Sequence, residues 1–196
     1  MLNIYRLFIH SLCAAPLIWL AWVLSSGDAS QLGADPIKEL IHFLGFGAIS
    51  ILITMFILGI VLFLLKQPQL QILRRPLGLW SWIYVSLHIC TYLVLELGLE
   101  FSLFFNELLQ RNYLIIGVFS FFILSLMALS SLPKLKQIMG KYWHYLHKFG
   151  YLALLLGAIH YYWAVKNITL GSVLYLSLSI FVMVWELRRL LRYRKG

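Results

Sequence analysis

Six apolar runs, each long enough to cross a bilayer, take up most of the 196 residues. A spanning helix needs about 20 apolar residues. The runs lie near 5–25, 40–65, 77–98, 112–131, 147–165 and 170–190. Between them stand turn formers and charges where a helix stops: Ser25-Ser26-Gly27-Asp28, Lys66-Gln67-Pro68, Leu97-Gly98, Leu132-Pro133-Lys134 and Val165-Lys166-Asn167. The first run is long and no small-residue cleavage site follows it, so it reads as a span rather than a removed leader. Hydrophobic residues make up 62% and charged residues 12%, half the charge of a soluble domain. That excludes a soluble enzyme, a coiled coil and a disordered chain. The expectation is an all-α, six-helix membrane bundle forming a single domain over 1–196. Its chemistry must then lie inside the bilayer or at its two faces. Cys13 and Cys90 sit in separate apolar runs and read as packing residues, not a disulfide.

Charge sets the expected orientation. With the runs alternating in direction, Arg6, Lys66, Arg74, Arg75, Lys134, Lys136, Lys141, Lys148, Arg188, Arg189, Arg192, Arg194 and Lys195 fall on one side. Only Lys38, Arg111 and Lys166 fall on the other, together with Asp28, Asp35, Glu39, Glu96, Glu100 and Glu107; Glu186 is the one acid on the basic side. The positive-inside rule then places both termini in the cytoplasm. The net charge of +9 and the tail Arg188–Lys195 are topology anchors. They do not point to nucleic acid.

Ionisable side chains within spans are costly and stand as functional candidates. Among six histidines, His10 and His42 read as structural hydrogen-bonding groups. His88 lies late in the third run, and His147 and His160 lie at the two ends of the fifth. The third and fifth helices run in the same direction, so His88 and His160 reach matching depth. Imidazoles from two facing helices are how membrane cytochromes hold the iron of haem b. The 13-residue step from His147 to His160 spans about 20 Å of helix, enough to separate two haem sites. Thirteen residues miss a common helical face by about 140°. The two histidines would share a face only if the helix bent or bulged, which Gly150 and Gly157 allow. On the third helix, 14 residues before His88, the chain has Arg74 where a four-histidine scheme needs an imidazole. His144 is an alternative inner ligand, and the HxxH it forms with His147 lacks the third ligand a zinc site needs.

A set of segments in fixed order now carries a resemblance. They are Ala34-Asp35-Pro36-Ile37-Lys38 with His42 and Gly45; Arg74-Arg75-Pro76-Leu77-Gly78-Leu79-Trp80; and Leu87-His88 with Tyr92 and Leu95-Glu96-Leu97-Gly98. Gly140-Lys141-Tyr142-Trp143 with Leu146-His147, and His160-Tyr161 with Trp163 and Lys166, complete them. Over about 16–166 the chain resembles the MsrQ family, also called YedZ. These are haem-bearing membrane subunits of the periplasmic methionine sulfoxide reductase system, grouped with ferric-reductase-like transmembrane cytochromes. The resemblance implies haem ligation by His88, His147 and His160, with Arg74 in the place of a fourth histidine. It implies electrons arriving from the quinone pool or a cytoplasmic flavin reductase, and leaving to MsrP, a soluble periplasmic molybdenum enzyme that performs the sulfoxide reduction. It implies residence in the bacterial inner membrane, and it brings FMN as a cofactor, for which the chain shows no motif. Phe46, and Arg111-Asn112-Tyr113, depart from the family pattern away from these ligands.

Other classes compete with this reading. A ferric reductase or oxidase core carries a flavin and nicotinamide domain, and no Gly-rich fingerprint follows the last span; such a cytochrome would need a separate reductase. A small transporter without haem would show an internal repeat with interrupted helices, and no repeat stands out by inspection.

Overall fold

The computed structural model describes residues 2–27, 29–165 and 167–193. Asp28, Lys166, Arg194 and Lys195, counted in the charge asymmetry above, lie outside the described residues. Among the described residues eight α-helices form: α1 Leu2–Ser26, α2 Pro36–Leu64, α3 Arg74–Thr91, α4 Phe101–Gln110, α5 Asn112–Ser130, α6 Pro133–Met139, α7 Tyr142–Ala164 and α8 Leu170–Tyr193. Short 3₁₀ pieces, Ala29–Leu32 and Pro68–Leu73, join the first three, and α3 runs on as a π-helical turn, Tyr92–Glu96.

The six expected spans correspond to α1, α2, α3 with its π turn, α5, α7 and α8. Among the described residues five helical stretches are long and apolar enough to cross a membrane: Leu2–Ser26, Pro36–Leu64, Pro68–Glu96, Asn112–Ser130 and Leu170–Arg192. Helix α7, at 23 residues, has the length, but His144, His147, Lys148 and His160 reduce its hydropathy. Large apolar side chains point outward along the spans, among them Leu7, Phe8, Leu12, Phe119, Phe122 and Phe181. In water such a surface would aggregate; in lipid it is the solvated face.

Several boundaries move from those expected, for local reasons. Helix α2 begins at Pro36 rather than near 40, because Asp35 caps it: its Oδ1 accepts from the Lys38 amide at 3.2 Å, with proline at the first turn. Part of the Ala-Asp-Pro signature is therefore a helix start. Helix α7 begins at Tyr142 rather than 147, since aromatic and basic residues extend a helix that apolar counting cuts short. Two helices inside expected loops, α4 and α6, were too short to register as spans.

The chain divides into two compact units, Met1–Phe104 and Phe105–Gly196. In the first, α2 and α3 form a hairpin and α1 packs on it. Leu20 and Val23 of α1, Leu40, Leu44 and Ala48 of α2, and Tyr84 of α3 share one core. Tyr84 is 1% exposed, and its hydroxyl donates to the Cys13 carbonyl at 2.9 Å, satisfying the phenol where water is absent. Gly47 makes this possible: a Cβ there would stand 2.6 Å from the Tyr84 ring. In the second unit, α5 and α7 form a second hairpin and α8 packs on α7. Ala153, Leu154 and Ala158 of α7 and Val182 of α8 are fully buried.

Candidate functional site

The sequence candidates fall into two hairpins, each with an open end and a turn end. In the first, His88 stands at the open end of α3. Its Nδ1 lies 2.8 Å from the carbonyl oxygen of Ile41 in α2. A carbonyl only accepts, so Nδ1 carries the ring proton and Nε2 keeps the lone pair. In the second, His160 stands at the open end of α7, with Nδ1 2.7 Å from the carbonyl oxygen of Tyr113 in α5. The tautomer is the same. An imidazole whose distal N–H is held by a carbonyl, with Nε2 directed to iron, is the usual arrangement of a metal-bound histidine. These two residues fit haem ligation on their own geometry.

Both pairs are 47 positions apart in sequence, and the correspondence extends down each hairpin. Ser81 Oγ of α3 donates to the Ala48 carbonyl of α2 at 2.9 Å, and Ser120 Oγ of α5 donates to the Ala153 carbonyl of α7 at 2.8 Å. The same two positions touch, with serine and alanine exchanged. Gly45 lies against the His88 ring and Gly117 against the His160 ring. Every counterpart sits 72 positions further along: Ile41 and Tyr113, Gly45 and Gly117, Ala48 and Ser120, Ser81 and Ala153, His88 and His160. The chain therefore contains an internal repeat, which sequence inspection did not find. What it repeats is a histidine niche between two unbroken helices.

At the turn ends the hairpins differ. Arg74 packs its guanidinium onto Gly59, where a Cβ would lie 2.7 Å from Cζ. Its Cζ stands 5.6 Å from the Phe56 ring centroid, and Nη1 reaches Gln71 Oε1 at 3.4 Å. Its Nε is buried and has no hydrogen-bond partner. In the other hairpin His147 faces Ser130, with Nε2 3.1 Å from Oγ. Ser130 Oγ also lies 2.9 Å from the Met127 carbonyl, which can only accept its proton. With the hydroxyl proton committed there, Nε2 is the protonated nitrogen of His147, opposite to His88 and His160. The His147 ring lies 3.9 Å from Trp143, whose indole donates to the Ser130 carbonyl at 3.1 Å, and Lys136 Nζ sits 4.4 Å over that indole. His147 would bind iron by Nε2 only after giving up Ser130.

Arg74 and His147 both stand at turn ends, but one residue out of register with each other under the 72-residue offset. From the open-end contact to the turn-end contact, both helices of the first hairpin count 14 residues, Gly45 to Gly59 and His88 to Arg74. Both helices of the second count 13, Gly117 to Ser130 and His160 to His147. Helix α7 needs no bulge to present its two histidines. It is one α-helix from Tyr142 to Ala164, and both imidazoles meet α5, at Tyr113 and at Ser130. Of the histidines read as structural, His10 accepts from the Trp80 indole at 2.9 Å.

The model of the ferric reductase like transmembrane component family matches residues 44–158, from within α2 to within α7. The chain is 63% identical over 196 residues to a protein of Pasteurella multocida (strain Pm70), covering 100% of this chain and 95% of that relative. The relative is named protein-methionine-sulfoxide reductase heme-binding subunit MsrQ.

Proposed function

The chain belongs to the ferric reductase-like transmembrane family and, within it, to the MsrQ haem-binding subunits, and from that membership we propose that it is the membrane electron-transfer subunit of a methionine sulfoxide reductase system. It receives electrons at the cytoplasmic side of the inner membrane, from quinol or a flavin reductase. It delivers them outside to a soluble molybdenum partner, MsrP, which reduces the sulfoxide. Both termini face the cytoplasm, as the basic side of the charge pattern requires.

The observation that supports this reading is the shared tautomer of His88 and His160, each holding its Nδ1 proton on a helix carbonyl. Each would then offer a neutral imidazole to hold b-type haem, which when bound would carry one electron at a time between its ferric and ferrous states. The surrounding apolar helices exclude water from these ligands. Their neutral imidazoles bring no charge of their own into the bilayer, where charge is costly. At the turn end of the second hairpin His147 offers an imidazole for a further haem. At the turn end of the first, Arg74 offers a cation with a buried Nε, suited to a propionate. Absorption spectra of the purified protein test the proposal. A Soret band, reducible α and β bands and a pyridine haemochrome count of one or two b haems per chain support it. A colourless, correctly inserted protein overturns it.

The outer loops supply the surface for the partner. Glu100 precedes α4 and Glu107 lies on it, where Glu107 bridges to Arg111 at 2.8 Å. Complementary charge at such a surface acts mainly on association rate. Glu100→Lys with Glu107→Lys is therefore expected to slow electron delivery to MsrP several-fold at low salt, with the difference shrinking as ionic strength rises. Stopped-flow reoxidation of the dithionite-reduced protein by MsrP measures it. Equal rates at all salt concentrations would place docking elsewhere.

A further inference from the structure

We propose that Gly45 and Gly117 are positioning residues that set the basicity of the imidazoles of His88 and His160, each by leaving a helix carbonyl open to a ring Nδ1 proton. The inference rests on the haem-binding function proposed above and concerns how this chain tunes it.

In an α-helix the carbonyl of residue i bonds the amide of residue i+4, and the Cβ of residue i+4 leans back toward that carbonyl. A carbonyl oxygen has a second lone pair, but a side chain at i+4 crowds the approach to it. Gly45 is the i+4 residue of Ile41, and Gly117 is the i+4 residue of Tyr113. In both places the imidazole occupies the room a methyl group would take. A Cβ on Gly45 would lie 3.0 Å from Nδ1 and 3.1 Å from Cε1 of His88; one on Gly117 would lie 2.6 Å from Nδ1 and 2.9 Å from Cε1 of His160. The ring thus reaches a carbonyl already used within the helix and bonds it at 2.8 Å in one hairpin and 2.7 Å in the other. The same device occurs twice, at corresponding positions, in two separately packed hairpins.

A hydrogen bond from the remote N–H makes an imidazole a more basic ligand, and a more basic ligand favours ferric over ferrous iron. Alanine at either glycine must push the ring away from the carbonyl and weaken that bond, while leaving the histidine in place to bind iron. Gly45→Ala and Gly117→Ala are therefore expected to retain haem and to shift its reduction equilibrium toward ferrous by up to about tenfold, the scale of one hydrogen bond. For a one-electron couple that is up to about 59 mV. Controls come from glycines in the same hairpins that touch no imidazole. A Cβ on Gly78 meets only Met55 Sδ, at 3.2 Å, and one on Gly157 only Ser120 Oγ, at 3.4 Å. Gly78→Ala and Gly157→Ala should leave the potential unchanged.

Redox titration followed at the α band, with EPR of the ferric protein, reads both sets. Pulsed EPR of the unsubstituted holoprotein labelled with ¹⁵N-histidine decides the matter even where a variant fails to load haem. The remote nitrogen of each axial ring should be a protonated, hydrogen-bonded Nδ1. Haem-loaded Gly45→Ala and Gly117→Ala proteins at the parental potential overturn the inference alone, as does a parent whose remote nitrogens carry no hydrogen bond. A parent that takes up no haem overturns the proposed function and this inference with it.

Discussion

His88→Ala and His160→Ala are each expected to abolish the low-spin haem spectrum of the open-end ligands, the largest effect any single substitution should have on this chain. Each change removes an imidazole from the proposed ligand set, and alanine offers iron no substitute. Each also leaves a carbonyl, Ile41 or Tyr113, that was already satisfied within its helix, so the backbone loses little. The protein should therefore still insert and fold, with a cavity the size of the missing ring. Added imidazole should enter that cavity and restore a low-spin Soret band. Difference spectra across an imidazole titration measure this directly. Parental spectra in both variants would remove His88 and His160 from the ligand set.

The second large effect is expected at Arg74. Its buried Nε has no hydrogen-bond partner, and an unsatisfied donor on a buried cation costs about 1–3 kcal/mol or more. A haem propionate is an anion that would supply the missing acceptor. Arg74→Ala should weaken binding of the second haem by about 10–100-fold, the usual cost of losing an outer-shell partner, while leaving haem ligation by His88 and by His160 intact. Arg74→His should have the opposite sign. It puts an imidazole at the turn end of the first hairpin, as His147 stands at the turn end of the second, and a second low-spin haem should become more prominent. The haem-to-protein ratio and the ferric EPR spectrum of both variants separate the cases. An unchanged ratio and spectrum in both would leave Arg74 as a topology anchor.

The helices and histidines were readable in the sequence because both rest on residue identity. Apolar length marks a span, and an imidazole in a span stands out by its cost. The acceptors could not be read. Ile41 and Tyr113 contribute only a backbone oxygen, which every residue has, and what distinguishes them is a glycine four positions on. The repeat was hidden for a related reason. At a 72-residue offset the identical pairs include Gly45 and Gly117, Leu52 and Leu124, Met55 and Met127, and His88 and His160. In a chain 62% hydrophobic, matched Leu and Met carry almost no information. The Ser–Ala contact is worse than silent, since exchanging its two members keeps the hydrogen bond and destroys the identity. The protonation of His147 was equally out of reach, because it depends on which carbonyl takes the Ser130 proton.

One residue fewer in each helix of the second hairpin has a geometric consequence. Along the first hairpin Arg74, Ser81 and His88 recur at heptad intervals, as do Gly45, Leu52 and Gly59. The second hairpin keeps the heptad from Gly117 to Leu124 and then shortens to six residues before Ser130. A rotation and translation that carries the His88 niche onto the His160 niche therefore fails at the far ends, by about 100° of helical phase and 1.5 Å of rise on each helix. The duplication is symmetric where the two like tautomers sit and out of phase where Arg74 answers His147.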